Sequence, residues 1–222
     1  MKEIFRSLTA RAEFLIVVLA AFGYLILISV LRGFDLLAQQ SLSPGGLASI
    51  LVFEFVVGGT LGLFLWLRGW SLSKLGLKPT AADTGVGLIL LGGVLILSYA
   101  VELATLYVSP ETMAHMRDIY DRLHGAAAPV GLAVAVSIVN ALYEEIFVTG
   151  YVVTALKQAR SDWFAVNVSV GIRLAYHLYQ GQMGVLTVLP LGLIFGFWFA
   201  RTGRLWPLVV AHAAMDMLAL IR

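Results

Sequence analysis

The sequence predicts an all-α membrane protein, a polytopic bundle of about seven transmembrane helices forming one integral membrane domain over residues 1–222. Composition is the first ground: 60% of the residues are hydrophobic, only 13% are charged, and the mean hydropathy is +0.91, far from the balance of a water-soluble domain. Periodicity is the second. Apolar stretches of about 20 residues recur along the chain, the length a helix rising about 1.5 Å per residue needs to cross about 30 Å of hydrocarbon. The third is what is missing: the chain has no cysteine, which excludes disulfides and thiolate-bound metal, and its net charge of +2 gives no reason to expect nucleic acid as a partner. The lipid bilayer is the partner that this composition demands.

Seven spans follow, near 13–31, 47–67, 84–107, 129–156, 163–180, 184–200 and 205–221. The first has the basic front of a signal peptide, but its apolar run from Phe14 to Leu31 is too long for one and no small-x-small cleavage site follows, so it reads as an uncleaved span. With the N-terminus in the cytoplasm, ten basic residues (Lys2, Arg6, Arg11, Arg68, Lys74, Lys78, Lys157, Arg160, Arg201 and Arg204) fall on that side. Only four, Arg32, Arg117, Arg122 and Arg222, fall on the other. The positive-inside rule therefore predicts an N-in, C-out topology, conditional on an odd number of spans.

Two connections carry their own pattern. Trp70 to Pro79 mixes apolar and basic residues, as an interfacial segment on the cytoplasmic face does. Ser109 to Gly125 begins with an N-cap serine, Pro110 at the first helical position and Glu111 in the first turn, with Met113, Met116, Tyr120 and Leu123 on one stripe, predicting a short amphipathic helix on the outer surface. His115 and His124 lie on it as ordinary solvated residues. Gly58 with Gly62, and Gly192 with Gly196, have the spacing of close helix contacts, and Pro190 predicts a kink in the sixth span.

The informative residues are the ionisable ones inside the spans, because each costs about 2.5 to 3.5 kcal/mol on insertion scales and so calls for a partner or a role. The fourth span holds Glu144 and Glu145, the fifth Arg173 and His177, the seventh His212 and Asp216; Glu54 and Glu102 stand alone in the second and third. Residues four apart share a helical face. His212 and Asp216 are therefore neighbours, as are Arg173 and His177, with Ser169 one turn earlier; Glu144 shares a face with Asn140, and Glu145 with Thr149. Adjacent glutamates point about 100° apart, so they are expected to address different points, one serving chemistry and the other structure. Three chemistries suit such a set: a hydrolytic centre that holds and deprotonates a water, a divalent metal held by Glu144, His177 and His212, or buried pairs that only fix helix packing. Zincin, rhomboid-like serine and intramembrane aspartyl signatures are absent from the sequence.

The string Tyr143-Glu144-Glu145-Ile146-Phe147-Val148-Thr149-Gly150-Tyr151 resembles the first motif of the CPBP family, E-E-x-x-x-R followed by glycine. Tyr176-His177-Leu178-Tyr179-Gln180-Gly181 resembles its second, and His212 to Asp216, preceded by Trp206-Pro207-Leu208, its third, H-x-x-x-N or H-x-x-x-D. The likeness runs from about Val130 to the end, a motif-bearing core of 129–222. It implies an intramembrane endopeptidase related to the CAAX prenyl proteases, in a multi-pass protein of the bacterial inner (plasma) membrane, acting on a membrane-associated peptide or protein. By position, Glu144 is then the catalytic glutamate, His177 and His212 hold water or oxyanion, Asp216 is the fourth motif residue, and Glu145 is the second glutamate. A divalent metal such as zinc, or none, is compatible with the motifs. Two positions depart from the pattern: Thr149 stands where the family has arginine, and Arg173 where it has phenylalanine, so the cation is expected to have moved from the fourth helix to the fifth and to pair with Glu145 or Glu144. A catalytically silent binding or self-immunity protein of the same fold and a proton-coupled transporter are the competing readings; no internal repeat supports the transporter.

Overall fold

A computed structural model describes residues 8–38, 43–123 and 128–221. Lys2, Arg6, His124, Gly125 and Arg222 lie outside the described residues, as do the side chains of Tyr120, Arg122 and Leu123. The chain is a helical membrane bundle of eight helices, without strands among the described residues: α1 (Ala10–Gly33), α2 (Pro44–Leu67), α3 (Ala81–Val108), α4 (Pro110–Leu123), α5 (Val130–Lys157), α6 (Asp162–Tyr176), α7 (Gly181–Thr202) and α8 (Trp206–Leu220). Local chemistry sets the starts. Thr9, Ser43, Thr80 and Ser161 each cap a helix by accepting from a backbone N–H in the first turn, and Pro44 and Pro207 occupy first-turn positions where a missing N–H costs nothing.

Every predicted span coincides with a helix, but the expected count of seven crossings is not met by length. Five helices, α1, α2, α3, α5 and α7, are long and apolar enough to cross a membrane. α6 and α8 have 15 residues each, roughly 22 Å of rise, short of a full hydrocarbon core. The fifth apolar run looked longer because it was read through His177 to Gln180. There the chain leaves the α-helix instead: the His177 ring bonds back to the Arg173 carbonyl, a single 3₁₀ turn covers Leu178–Gln180, and Gly181, at φ 59°, turns the chain into α7.

One end of the bundle is closed by polar clasps. Arg68 at the end of α2 pairs with Glu13 near the start of α1, Arg204 with Asp83, and Lys157 with the Ala200 carbonyl and Asp162. The Trp70–Pro79 segment is a series of turns that packs Leu75 inward and accepts the Leu205 N–H at the Gly76 carbonyl, 2.9 Å away. Gly76 is there of necessity, at φ 76° and with a Cβ that would lie 2.3 Å from the Gly203 oxygen. Among the described residues of the predicted basic face, Arg11, Arg68, Lys74 and Arg160 line one cavity.

The remaining packing expectations divide. Gly192 and Gly196 admit Val170 and Val166 of α6, and Gly58 admits the Tyr143 ring, whereas Gly62 meets nothing and is not a helix contact; Gly87 of α3 is as tight against Pro207 and Val210 of α8 as Gly196 is against Val166. α7 is helical on both sides of Pro190. α4 follows Ser109, whose hydroxyl accepts from the Thr112 N–H, and it buries Met113 and Met116 while His115 stays exposed. Glu102 is exposed on the C-terminal half of α3, and Glu54 is buried.

Candidate active site

The polar centre is built on α5, α6 and α8, and its local cause is a break in helical register. α5 is α-helical to Glu144, widens into a π-helical stretch over Glu145–Tyr151, then resumes as Val152–Lys157. A π-turn advances fewer degrees per residue than an α-turn, and such bulges gather at functional sites. Here it brings the two adjacent glutamates to one partner, which corrects the expectation that they address different points. Arg173 of α6, 1% exposed, donates from Nη1 to Glu144 Oε2 at 3.1 Å and from Nη2 to Glu145 Oε1 at 2.7 Å. The guanidinium fork spans both carboxylates, which a lysine could not do. Its Nη2 also reaches the Thr149 hydroxyl at 3.3 Å, and that hydroxyl donates to Glu145 Oε2 at 2.7 Å. The cation of α6 therefore lies beside the very residue that replaces the motif arginine.

Glu145 is fully buried and saturated, because His212 adds a further contact, Nδ1 to Glu145 Oε1 at 2.8 Å. A carboxylate can only accept, so Nδ1 carries the proton and the ring's orientation is fixed from Glu145. Nε2 is then turned toward Glu144 Oε2, 4.0 Å away, and Asp216 Oδ1, 3.7 Å away. Asp216 is the neighbour of His212 that the spacing predicts, but it lies beyond hydrogen-bond reach of the ring and is itself held by Asn140, whose Nδ2 donates to Oδ2 at 2.8 Å. The orienting carboxylate comes from α5, not from the next turn of α8.

Glu144 is placed differently. Its Oε2 receives Arg173 and the Tyr176 hydroxyl, the latter at 2.6 Å, while Oε1 accepts no hydrogen bond from the described residues. The carboxylate lines a cavity of about 550 Å³ between α1, α2, α5 and α6, together with Asn140, Tyr176, His177 and Glu54. His177 donates its Nδ1 hydrogen to the Arg173 carbonyl at 2.9 Å, which leaves Nε2 to address other groups, and its ring lies against Tyr176 and Tyr179. Glu144 and His177 are thus brought to one cavity, and His212 reaches Glu144 from α8. Tyr176 and Glu54 are the residues that spacing arguments passed over as site members. Tyr176 could have been found from its place directly before His177; Glu54 carried only its insertion cost as a signal.

The donors do not fit a divalent ion as they stand. Among the described residues no three His, Asp or Glu side chains converge as metal ligands, and the Arg173 guanidinium already neutralises Glu144 through Oε2.

Residues 126–218 match a family model described as type II CAAX prenyl endopeptidase Rce1-like. This stretch is similar in sequence to the CPBP/CAAX proteases. The chain matches none of the curated proteins and none of the solved structures. The matched stretch spans α5 to α8 and so contains Glu144, Glu145, Arg173, His177, His212 and Asp216, while α1 to α4, which supply the far wall of the cavity, precede it. The family is one of intramembrane proteases, which agrees with a polar centre enclosed by apolar helices.

Proposed function

We propose that this protein is an endopeptidase that hydrolyses a peptide bond of a membrane-associated peptide or protein, with Glu144 as general base. The observation that carries the reading is the asymmetry of Glu144: one carboxylate oxygen anchored by Arg173 and Tyr176, the other unengaged in a cavity it shares with His177. A water beside that oxygen loses a proton to Glu144 as its oxygen adds to the scissile carbonyl carbon. His177 Nε2 accepts from the attacking water, the oxyanion accepts from the Nε2–H of His212 in its imidazolium form, and the proton on Glu144 passes to the leaving nitrogen as the C–N bond breaks, giving a carboxylic acid and an amine. Glu145, locked by Arg173, Thr149 and His212, is the positioning carboxylate.

A catalytically silent relative is the competing reading. Its ground, the missing motif arginine at Thr149, is weakened because Arg173 contacts both glutamates. We place the protein in a bacterial plasma membrane with the basic end in the cytoplasm. The test is a comparison of peptide ends in membranes from cells expressing wild-type protein and Glu144→Ala. At least one end is expected to disappear in the variant; identical sets of ends would refute the peptidase. Because the donors do not fit a metal, a strong chelator is expected to leave the wild-type pattern unchanged, and loss of the same ends on chelation would restore the metal mechanism.

A further inference from the structure

α2 lies outside the stretch that matches the family model, and its one ionisable residue is Glu54. Midway along an apolar helix, a carboxyl is expected either to find a donor in the protein or to reach water. Glu54 is 3% exposed, and among the described residues its Oε2 is buried without a hydrogen-bond partner. The titratable groups whose charges act on it are Glu144, Asp216 and His212, across the bundle. No clasp of the fold uses it, in contrast to Glu13 or Asp83.

Its location is specific. Glu54 lines the cavity that holds Glu144 and His177, and it also lines an adjoining apolar cavity of about 450 Å³ between α2 and α5, beside Gly58, Trp66 and Phe147. It is the carboxyl common to both. A buried acceptor that lacks a donor, on the wall opposite a hydrolytic glutamate, is completed by a ligand that brings the donor with it.

We infer that Glu54 is a substrate-contacting residue of the Glu144 cavity, and that the donor its carboxyl lacks is an N–H group of the substrate peptide. This rests on the peptidase reading. The N–H has two sources, a backbone amide near the scissile bond or the ammonium of a basic side chain. Both are donors, but only the second requires the negative charge, so Glu54→Gln separates them while Glu54→Met removes the acceptor from either.

The experiment uses the full chain in two settings. In membranes, yield of the peptide end that depends on Glu144 is expected to fall at least tenfold in Glu54→Met. Glu54→Gln keeping most of the yield identifies a backbone amide, and Glu54→Gln falling with Glu54→Met identifies an ammonium. In detergent, Glu54→Met is expected to melt higher than wild type by about 2 to 4 °C, because an unpartnered carboxyl has been replaced by an apolar side chain of similar size. A carboxyl kept for structure would move the melting point down. Wild-type yield of the end in Glu54→Met, or a lowered melting temperature, would overturn the inference while leaving the peptidase intact; the absence of any end that depends on Glu144 would overturn both.

Discussion

Two glutamates of this bundle are each held by an arginine and a tyrosine, yet they are finished differently. At one end of α1, Glu13 accepts from Arg68 and, through its other oxygen, from the Trp70 indole at 2.8 Å and the Tyr151 hydroxyl at 3.2 Å. Both oxygens are engaged, and one cation answers one carboxylate. In the stretch that matches the family model one arginine answers two carboxylates, with Asp216 nearby, and Glu144 Oε1 accepts nothing from the described residues. Burial alone does not separate the two, since Glu13 and Glu144 are each 7% exposed. What separates them is completeness. A closed cluster stabilises a helix junction, whereas an open one leaves an acceptor where a water or substrate can use it.

The widest gap between the clusters is expected in activity. Glu144→Gln removes the proposed base and is expected to lower cleavage by about 10²- to 10⁴-fold, the usual worth of a positioned general base. Glu13→Gln is expected to leave turnover per folded molecule within about twofold of wild type while lowering the melting temperature. The comparison breaks if Glu13→Gln, assayed per folded molecule, loses cleavage to the same degree.

Stability should show the reverse emphasis on cations. Arg173→Ala strands two buried carboxylates and is expected to cost about 3 to 5 kcal/mol. Arg68→Ala strands one, which keeps Trp70 and Tyr151 as donors, and should cost about half as much. Thr149→Ala removes a single hydroxyl from a saturated site and is expected to cost about 1 kcal/mol. Thermal unfolding of the three in one detergent tests the order. Equal losses for Arg173→Ala and Thr149→Ala would show that the cation on α6 does not neutralise the pair.

Much of this was legible from residue spacing, and the failures have physical causes. The apolar runs located every long helix, and insertion cost singled out Glu144, Arg173, His177, His212 and Asp216, because a charge in hydrocarbon has few innocent explanations. Helical angles failed at Glu145, where the widened turn after Glu144 has no signature in the residues themselves. Glu13 went unnoticed because, at the edge of a span with a basic front, it reads as flank; its partners at positions 68, 70 and 151 meet only in three dimensions. The shortness of α6 hid behind apolar residues that continue past His177, since hydropathy does not register the bond from an imidazole to the Arg173 carbonyl. The bond that holds Asp216 was likewise out of reach of spacing, since its donor Asn140 stands on another helix. A shared face brought it within 3.7 Å of His212, but proximity along a helix does not decide which acceptor a ring nitrogen takes.

Asp216 also supplies the smallest expected effect and the finest test of what an open cluster requires. With Glu145 holding His212 Nδ1, the ring keeps its orientation without Asp216. What Asp216 adds is a bond to Asn140, a residue that lines the Glu144 cavity, and a carboxylate on the Nε2 side of the ring. Asp216→Asn retains an oxygen to accept from Asn140 and removes only the charge, so cleavage is expected to stay within about threefold of wild type. Asp216→Ala frees the Asn140 amide to move and leaves its N–H without that acceptor, a loss of about 1 to 3 kcal/mol where the group is buried; about tenfold slower cleavage is expected, with part of the loss appearing as instability. Asn140→Ala should then resemble Asp216→Ala, and the double variant should be little worse than either single one, since both remove the same bond. Cleavage normalised to folded protein is the measurement. If Asp216→Asn falls as far as Asp216→Ala, the charge beside Nε2 matters more than the bond to Asn140, and Asp216 acts on His212 through space.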